Sequence, residues 1–411
     1  MVYRCLNAEE ALNYLPRDVF ILVQGCSGES EVIAQAFENL NSKVGAVTVT
    51  GIFVPGLNRC SWRPNEHSRV RTFFLTPELR RAKDKVEFLP FCYADILTSM
   101  RHTEFDAALF QVSPPDADGV CSFGPVVDFL ADLWPEIPIR IAQINPSMPS
   151  VRGHKGIPLR ELTAYFEADT PLLGMPHDLP DKAAMAIGQH IGGFIDDGAT
   201  IQTGLGRIPG AVLGALRHHR GLRLHTGLVG DAALDLIGSG ALASGVAITA
   251  GVAIGTSELY AATKEECFAF KPVSYTHNAR VLSSIDKFVT VNSALCVDLF
   301  GQAFSEMTPR GMMSGPGGAT DFARGAKAGN GLRIVALPAM AGDISRVVLP
   351  GEGQGPVSLG RMDTDVIVTE YGAADLRGLT HEARAKALIG IAAPERRDGL
   401  SAAWHSFLKT L

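Results

Sequence analysis

The chain of 411 residues has no paired-cysteine motif. Its seven cysteines (Cys5, Cys26, Cys60, Cys92, Cys121, Cys267 and Cys296) are scattered, with no Cys-x-x-Cys and no following His-x-x-x-His. That spacing removes the support for a zinc site and predicts reduced, mostly buried thiols. Long apolar runs are also missing. The segment "SGALASGVAITAGVAIGTSELY" is too rich in Gly and Ser to read as a span of about 18 apolar residues, so no membrane segment is expected. The opening "MVYRCLNAEEALNYL" meets acidic residues before any apolar run, which is not a signal-peptide pattern and predicts a cytoplasmic protein. Basic clusters are scarce. The net charge is −6, and only Arg80 to Lys83 is dense in cations, read as a solvated helix face; a nucleic-acid partner is not expected. No Gly-x-Ser-x-Gly elbow and no His-Glu zinc pair occurs, so hydrolase triads and metalloproteases lack support. No low-complexity tract or solenoid-period repeat is visible.

What is present is a well-buried globular composition, 46% hydrophobic and 19% charged, in a chain too long for one ordinary core. Short apolar runs alternate with helical patterns: "DVFILVQG", "SEVIAQAFENLN", "KVGAVTVTGI", "KVEFLP", "DAALFQVSPP", "IRIAQINPSMP". The rhythm restarts in "GATIQTGLG", "LRLHTG", "RIVALPA" and "TDVIVTEYG". Apolar runs without strict alternation belong to strands covered on both faces, so two open, mostly parallel α/β domains are predicted. The punctuation in "EADTPLLGMPHDLPDKAAMAIGQHIGGFIDDG" places the boundary near residue 185, giving domains 1–185 and 186–411. A ligand site is expected beyond the carboxyl ends of the strands.

Several segments could carry chemistry. "TGLGRIPGAVL" sets Gly204 and Gly206 at a strand end and Pro209 at a helix start. Such a turn either cradles a phosphate or oxyanion on backbone N–H groups, or is a plain tight connection. A dinucleotide fingerprint is not met, because Pro209 stands at the sixth place. "MMSGPGGATDFARGA" offers Gly315, Gly317 and Gly318 before a helix expected to begin near Asp321, which would cap it. "VNSALCVDLFGQ" places Asn292, Ser293 and Asp298 in an apolar segment, where a buried hydrogen-bond network is the plainer account. Glu370 in "TEYGAADLRGLT" ends a strand, where a carboxylate either serves catalysis or, as expected here, holds Arg377 or backbone amides. "PNEHSRVRTFF" adds Glu66, His67 and Arg71.

Seven of these segments stand in one familiar order. "QVSPPDADGVCSFG", "QINPSMPSVRGH", "TGLGRIP", "GTSELY", "NSALCVDLFGQ", "GGATDFARGA" and "TEYGAADLRG" together resemble the acetyl-CoA hydrolase/transferase family, the family I CoA-transferases, from about residue 18 to residue 400. The resemblance implies two similar α/β domains with the acyl-CoA site between them, usually in a homodimer. No permanently bound cofactor is implied; coenzyme A enters as the acyl-CoA substrate, and the partner is a small carboxylate acceptor. The implied chemistry is ping-pong. A glutamate attacks the thioester to give an acyl-glutamyl anhydride, the CoA thiolate converts it to a glutamyl-CoA thioester, and the acceptor takes over the CoA. A carboxylate suits this, being ionised at neutral pH without a general base. By matching, Gly204, Leu205, Gly206, Arg207 and Ile208 would bind CoA and hold an oxyanion. Gly255, Asn292, Gly315, Gly317 and Gly318 would line the CoA channel, with Ala319 where the family usually has Gln.

One place departs from the family. Members read His-Thr-Glu where this chain reads His225-Thr226-Gly227, and that glutamate is their nucleophile. Spacing from "GLGRIP" through to Asp231 fits the family without a gap, and Asp231 matches a residue relatives carry beside their glutamate. Glu258, where relatives more often have lysine, is a candidate for a moved carboxylate or else a surface residue. Three readings follow: acyl-CoA:carboxylate transfer by a relocated carboxylate or direct attack; a thioesterase or a transferase to a non-carboxylate acceptor; and a CoA-binding subunit without chemistry. Transfer is the expected function.

Overall fold

A computed structural model describes residues 2–176 and 178–409. Two compact units divide the chain. The first takes the chain up to Pro176 together with Gly227–Val229 and Ile248–Thr276; the second takes the rest.

The first unit is built on eight strands in the order Tyr3–Arg4, Ala164–Glu167, Ile139–Ile144, Ala107–Val112, Val19–Val23, Val47–Gly51, Arg69–Thr72, Val86–Phe88. Every pairing is parallel. The central runs VFILV and AALFQV are buried along nearly their whole length, as strands covered on both faces must be. From Val19–Val23 the chain winds outward one way to Val86–Phe88, then returns to Ala107–Val112 on the other side. That reversal is a topological switch point, where the carboxyl ends of neighbouring strands leave a crevice. The helix Glu31–Glu38 follows the first central strand. Ser30 caps it by accepting from the Ile33 N–H, and Ile33, Ala34, Ala36 and Phe37 are its buried face.

A segment from residue 125 to 128 lies antiparallel against Ile248–Ala253. Val127 N–H donates to the Gly251 carbonyl at 3.1 Å, and Ala253 N–H donates to the Pro125 carbonyl at 2.8 Å. Strand Ile248–Ala253 itself pairs in parallel with Phe268–Phe270.

In the second unit, Arg223–Val229 (whose last three residues belong to the first unit) pairs in parallel with Thr200–Gln202. The sheet continues through Phe288–Ser293, Leu332–Ala336 and Val366–Thr369, all parallel, and closes with the antiparallel Gly372–Asp375. A second switch point falls between Thr200–Gln202 and Phe288–Ser293. Two helices, Lys182–Gly192 and Arg207–Ala215, cross so closely that a Cβ at Gly188 would lie 2.5 Å from the Ala211 carbonyl oxygen. The expectation of open, mostly parallel α/β sheets holds in both units.

Three places bear on the sequence reading, the last of them in agreement with the buried hydrogen-bond network expected around Asp298. Arg69–Thr72 is a strand, and its Arg71 pairs with Glu87 at 3.0 Å, while His67 and Glu66 stay exposed 3.7 Å apart. No site forms around them. The helix expected near Asp321 begins at Ala319, with Gly318 as its N-cap residue and Asp321 inside its first turn. Asp298 organises a turn, accepting from Phe300 N–H, Gln302 N–H and the Gln302 side-chain amide.

Burial perturbs a carboxyl group of the first unit. Glu29 is 2% exposed, and its two carboxyl oxygens accept from Trp62 Nε1 (2.7 Å) and Asn58 Nδ2 (3.1 Å). Desolvation outweighs these donors and pushes its pKa up to about 7. A carboxyl raised in the folded state binds a proton there that the unfolded chain has released, so its stabilisation is complete below the ordinary value of 4.5 and is lost as pH rises through 7. The melting temperature should therefore fall between pH 5 and pH 8. In Glu29→Gln that fall should shrink by several degrees, measured by thermal melts at the two pH values.

Candidate functional site

The second switch point gathers most of the residues singled out from the sequence. Strand Thr200–Gln202 ends in Thr203 and Gly204, and helix Arg207–Ala215 begins at once, with Gly206 as its N-cap residue at φ +105°. No side chain caps this helix. Its first N–H groups thus have no capping side chain, and a Cβ on either Gly204 or Gly206 would meet nothing within 4 Å. Arg207 points along the surface and pairs with Asp181 at 3.1 Å.

Two oxygens in this crevice want donors. Gln202 and Thr203 are 4% and 3% exposed, yet Gln202 Oε1 and Thr203 Oγ1 have no hydrogen-bond partner among the described residues. Gln202 Nε2 makes a long contact of 3.5 Å to Asn292 Oδ1, from the strand across the switch point. Buried acceptors without donors are costly, which marks a place shaped for something else. Thr226 donates to the Thr203 carbonyl at 2.7 Å, tying the end of the neighbouring strand to this turn one residue before Gly227.

His225 is buried, edge-on to Phe288. His277 lies buried near Phe322, where desolvation, with His225 as the second cause, lowers its pKa to about 3 and keeps the ring neutral. Gly318 has a packing reason: its Cβ would fall 2.6 Å from His277 Nε2. Gly317 has φ +61° in the turn before it, and Gly315 is buried. Glu370 accepts from Ala339 N–H at 2.8 Å, and Arg377 pairs with Asp375, so Glu370 has a structural role through a backbone amide.

The first unit holds the remaining candidates. Gly255 lines an open pocket of about 490 Å³ with Ser147, Leu172, Met175, Tyr260 and Lys264. Glu258 stands exposed on the first turn of the six-residue helix Ser257–Ala262. Gly227 is buried and extended, and its carbonyl oxygen lies 3.1 Å from where a Cβ on Gly251 would be. The residue that sequence reading passed over is Asp128, whose Oδ1 is 3.6 Å from that same point. Its signal was the first of two aspartates, Asp128 and Asp132, inside the otherwise apolar run "GPVVDFLADLW".

Comparison with known proteins decides the family. A family model described as "Acetyl-CoA hydrolase/transferase C-terminal domain" matches residues 255–404. Over 97% of its length the chain is 33% identical to the 4-hydroxybutyrate coenzyme A transferase of Clostridium kluyveri, covering 96% of that protein. The chain belongs to the acetyl-CoA hydrolase/transferase family. It is a CoA-transferase, 33% identical also to the succinyl-CoA:cyclohexane-1-carboxylate CoA transferase of Geobacter metallireducens over 82% of this chain and 80% of that one. Among solved structures, RipA from Yersinia pestis superimposes with a TM-score of 0.89 at 26% identity, covering 98% of this chain and 97% of the other. Within the described residues of this CoA-transferase no helix is long and apolar enough to cross a membrane.

The glycine turn is testable on its own. At φ +105° any L side chain is strained by about 1–3 kcal/mol. Gly206→Ala should lower the melting temperature by a few degrees and weaken binding of CoA. Gly204→Ala adds its methyl to open space and should melt like the parent, as thermal melts and CoA titration would show.

Proposed function

We propose that this CoA-transferase moves coenzyme A between a short-chain acyl-CoA and a small carboxylate acceptor, with Gly227 standing where the family's nucleophilic glutamate is expected. The observation that carries the reading is the crevice at the second switch point. It sets a helix N-terminus at Gly206 that no side chain caps beside two buried, unpartnered oxygens on Gln202 and Thr203. The pantetheine arm of an acyl-CoA matches that pattern: its amide N–H groups supply donors, and its carbonyl oxygens accept from a helix N-terminus. A developing thioester oxyanion would be stabilised by the same backbone donors. Asn292, Gly255, Gly315, Gly317 and Gly318 are assigned to the CoA channel by family matching, and His225 to the edge of the reacting loop.

Gly227 takes the attacking side chain out of the loop and leaves the binding elements in place. Transfer then runs either by direct attack of the acceptor carboxylate or through a carboxylate from elsewhere in the chain. The vacated volume suits a bulkier acyl group than the family's smallest. Seven free cysteines fit a reducing, cytoplasmic compartment, and a homo-oligomer is the arrangement we assign.

The test is CoA exchange from acetyl-, propionyl-, butyryl- and succinyl-CoA to a panel of short carboxylates, with free CoA release followed in parallel. Wild-type protein should transfer. Gly227→Glu should raise the rate by about 10²-fold or more, given what removal of a nucleophile costs when its partners remain. Release of CoA with no transfer to any acceptor would replace this reading with a thioesterase. Inertness of both proteins would replace it with a CoA-binding subunit.

A further inference from the structure

We propose that the second unit carries an oxyanion site separate from the glycine turn, in which Arg361, Arg384 and His381 receive the phosphate group of a small molecule beside Phe300. All four residues belong to that one unit, and the proposal does not rest on the transfer reading above. Three structural observations support it.

The first is convergence. Arg361 lies over the Phe300 ring, its Cζ 5.8 Å from the ring centroid. Arg384 Nη1 donates to the Phe300 carbonyl at 3.2 Å. The His381 ring stands edge-on to the same phenyl ring, with centroids 4.9 Å apart. Three basic side chains from two segments are thus gathered on one residue of a third. Gly301 makes room for the arrangement: a Cβ there would lie 3.2 Å from Arg384 Nη1 and 2.7 Å from Leu376 Cδ1.

The second is a missing counter-charge. Among the described residues no carboxylate, Glu382 included, forms an ion pair with Arg361, Arg384 or His381. The acids nearby are already engaged. Asp365 is held in the fork of Arg333 at 2.8 and 2.5 Å, and Asp363 pairs with Lys327 at 3.6 Å. Both Arg361 and Arg384 are half-buried. Desolvation lowers the Arg384 pKa, and the Arg361 charge lowers it further, against Asp365, so the two guanidinium groups act on one another. Like charges held together and partly out of water are stabilised by an anion that both can reach.

The third is rigidity. Phe300 N–H donates to Asp298 Oδ1 at 3.0 Å, and the rings of Trp404 and Phe407 flank the Phe300 ring at 6.0 and 5.9 Å. Arg384 rises from the helix His381–Ile391, which Thr380 caps. Donors fixed in this way lose little freedom when a ligand arrives.

These features select the ligand. A guanidinium presents its N–H groups as a planar fork that matches phosphate oxygens, and a dianion answers two fixed charges where a carboxylate answers one. The Phe300 ring is already covered by its neighbours, so the site reads the phosphate and not the group attached to it.

Its place in the sheet sets it apart from the glycine turn. Gly301 adjoins Ile367 and Leu376, and Leu376 follows Asp375, which pairs with Val366 at the amino end of Val366–Thr369. The glycine turn follows the carboxyl end of Thr200–Gln202 in the same run of parallel strands. Amino and carboxyl ends of parallel strands lie at opposite edges of a sheet.

The test is thermal melting of the full chain in inorganic phosphate and in pyrophosphate, against potassium chloride of equal ionic strength, with and without saturating CoA. Wild-type protein should gain about 2–5 degrees at ten times the dissociation constant, along a saturating curve, in both series. Arg361→Met should lose that gain yet melt close to the parent in chloride, because it only trims a half-buried side chain from the face of a ring. Arg384→Met should lose the gain too. Arg384→Lys, which keeps the charge but not the fork, should retain only part of it. If Arg384→Met does not fold, Arg361→Met and Arg384→Lys carry the test. An undiminished gain in Arg361→Met overturns the proposal, as does the absence of any gain in wild-type protein. A gain that CoA abolishes also overturns it, and would assign these arginines to the nucleotide end of CoA itself.

Discussion

Parallel strands that reverse their winding leave a crevice beyond their carboxyl ends, and each unit of this protein contains one such reversal. In the first unit the reversal lies between Val19–Val23 and Ala107–Val112; in the second it lies between Thr200–Gln202 and Phe288–Ser293. The connecting segments depart to opposite sides there, so carboxyl-end residues face free space while the rest of each strand is sealed. The cavity beside Asp128 and the open turn at Gly204–Gly206 are both products of that constraint, and neither depends on an unusual side chain.

Polar groups at such a crevice stay buried without full satisfaction. Gln202 Oε1 and Thr203 Oγ1 lack donors, and the Asp128 carboxyl is pushed up by desolvation with no cation among the causes. Each imposes a cost on the folded chain, because unpaired buried acceptors and desolvated carboxylates are destabilising. Glu29 shows the contrasting case: equally buried, but engaged by Trp62 and Asn58 within one packed cluster.

Much of the scaffold was legible because strands covered on both faces must be written in apolar runs. Val19–Val23, Ala107–Val112 and Ile139–Ile144 declare themselves in this way. Arg69–Thr72 does not, since its alternating RVRT buries only every second residue, and Ile248–Ala253 hides in a stretch of glycine and alanine. The glycine turn at 204–206 was legible from local spacing. The surroundings of Asp128 were not, because its Oδ1 lies 3.6 Å from the place a Cβ on Gly251 would take, a neighbour far along the chain. No local pattern encodes such a meeting. Only the sheet topology brings it about.

Two glycines act together in that meeting. Gly227 has no carboxylate to present, and Gly251 has no methyl to interpose; a Cβ at Gly251 would press on the Gly227 carbonyl at 3.1 Å and stand beside Asp128. Binding and bond-making are separable in such an enzyme, because the donors that hold a thioester do not depend on which oxygen attacks it.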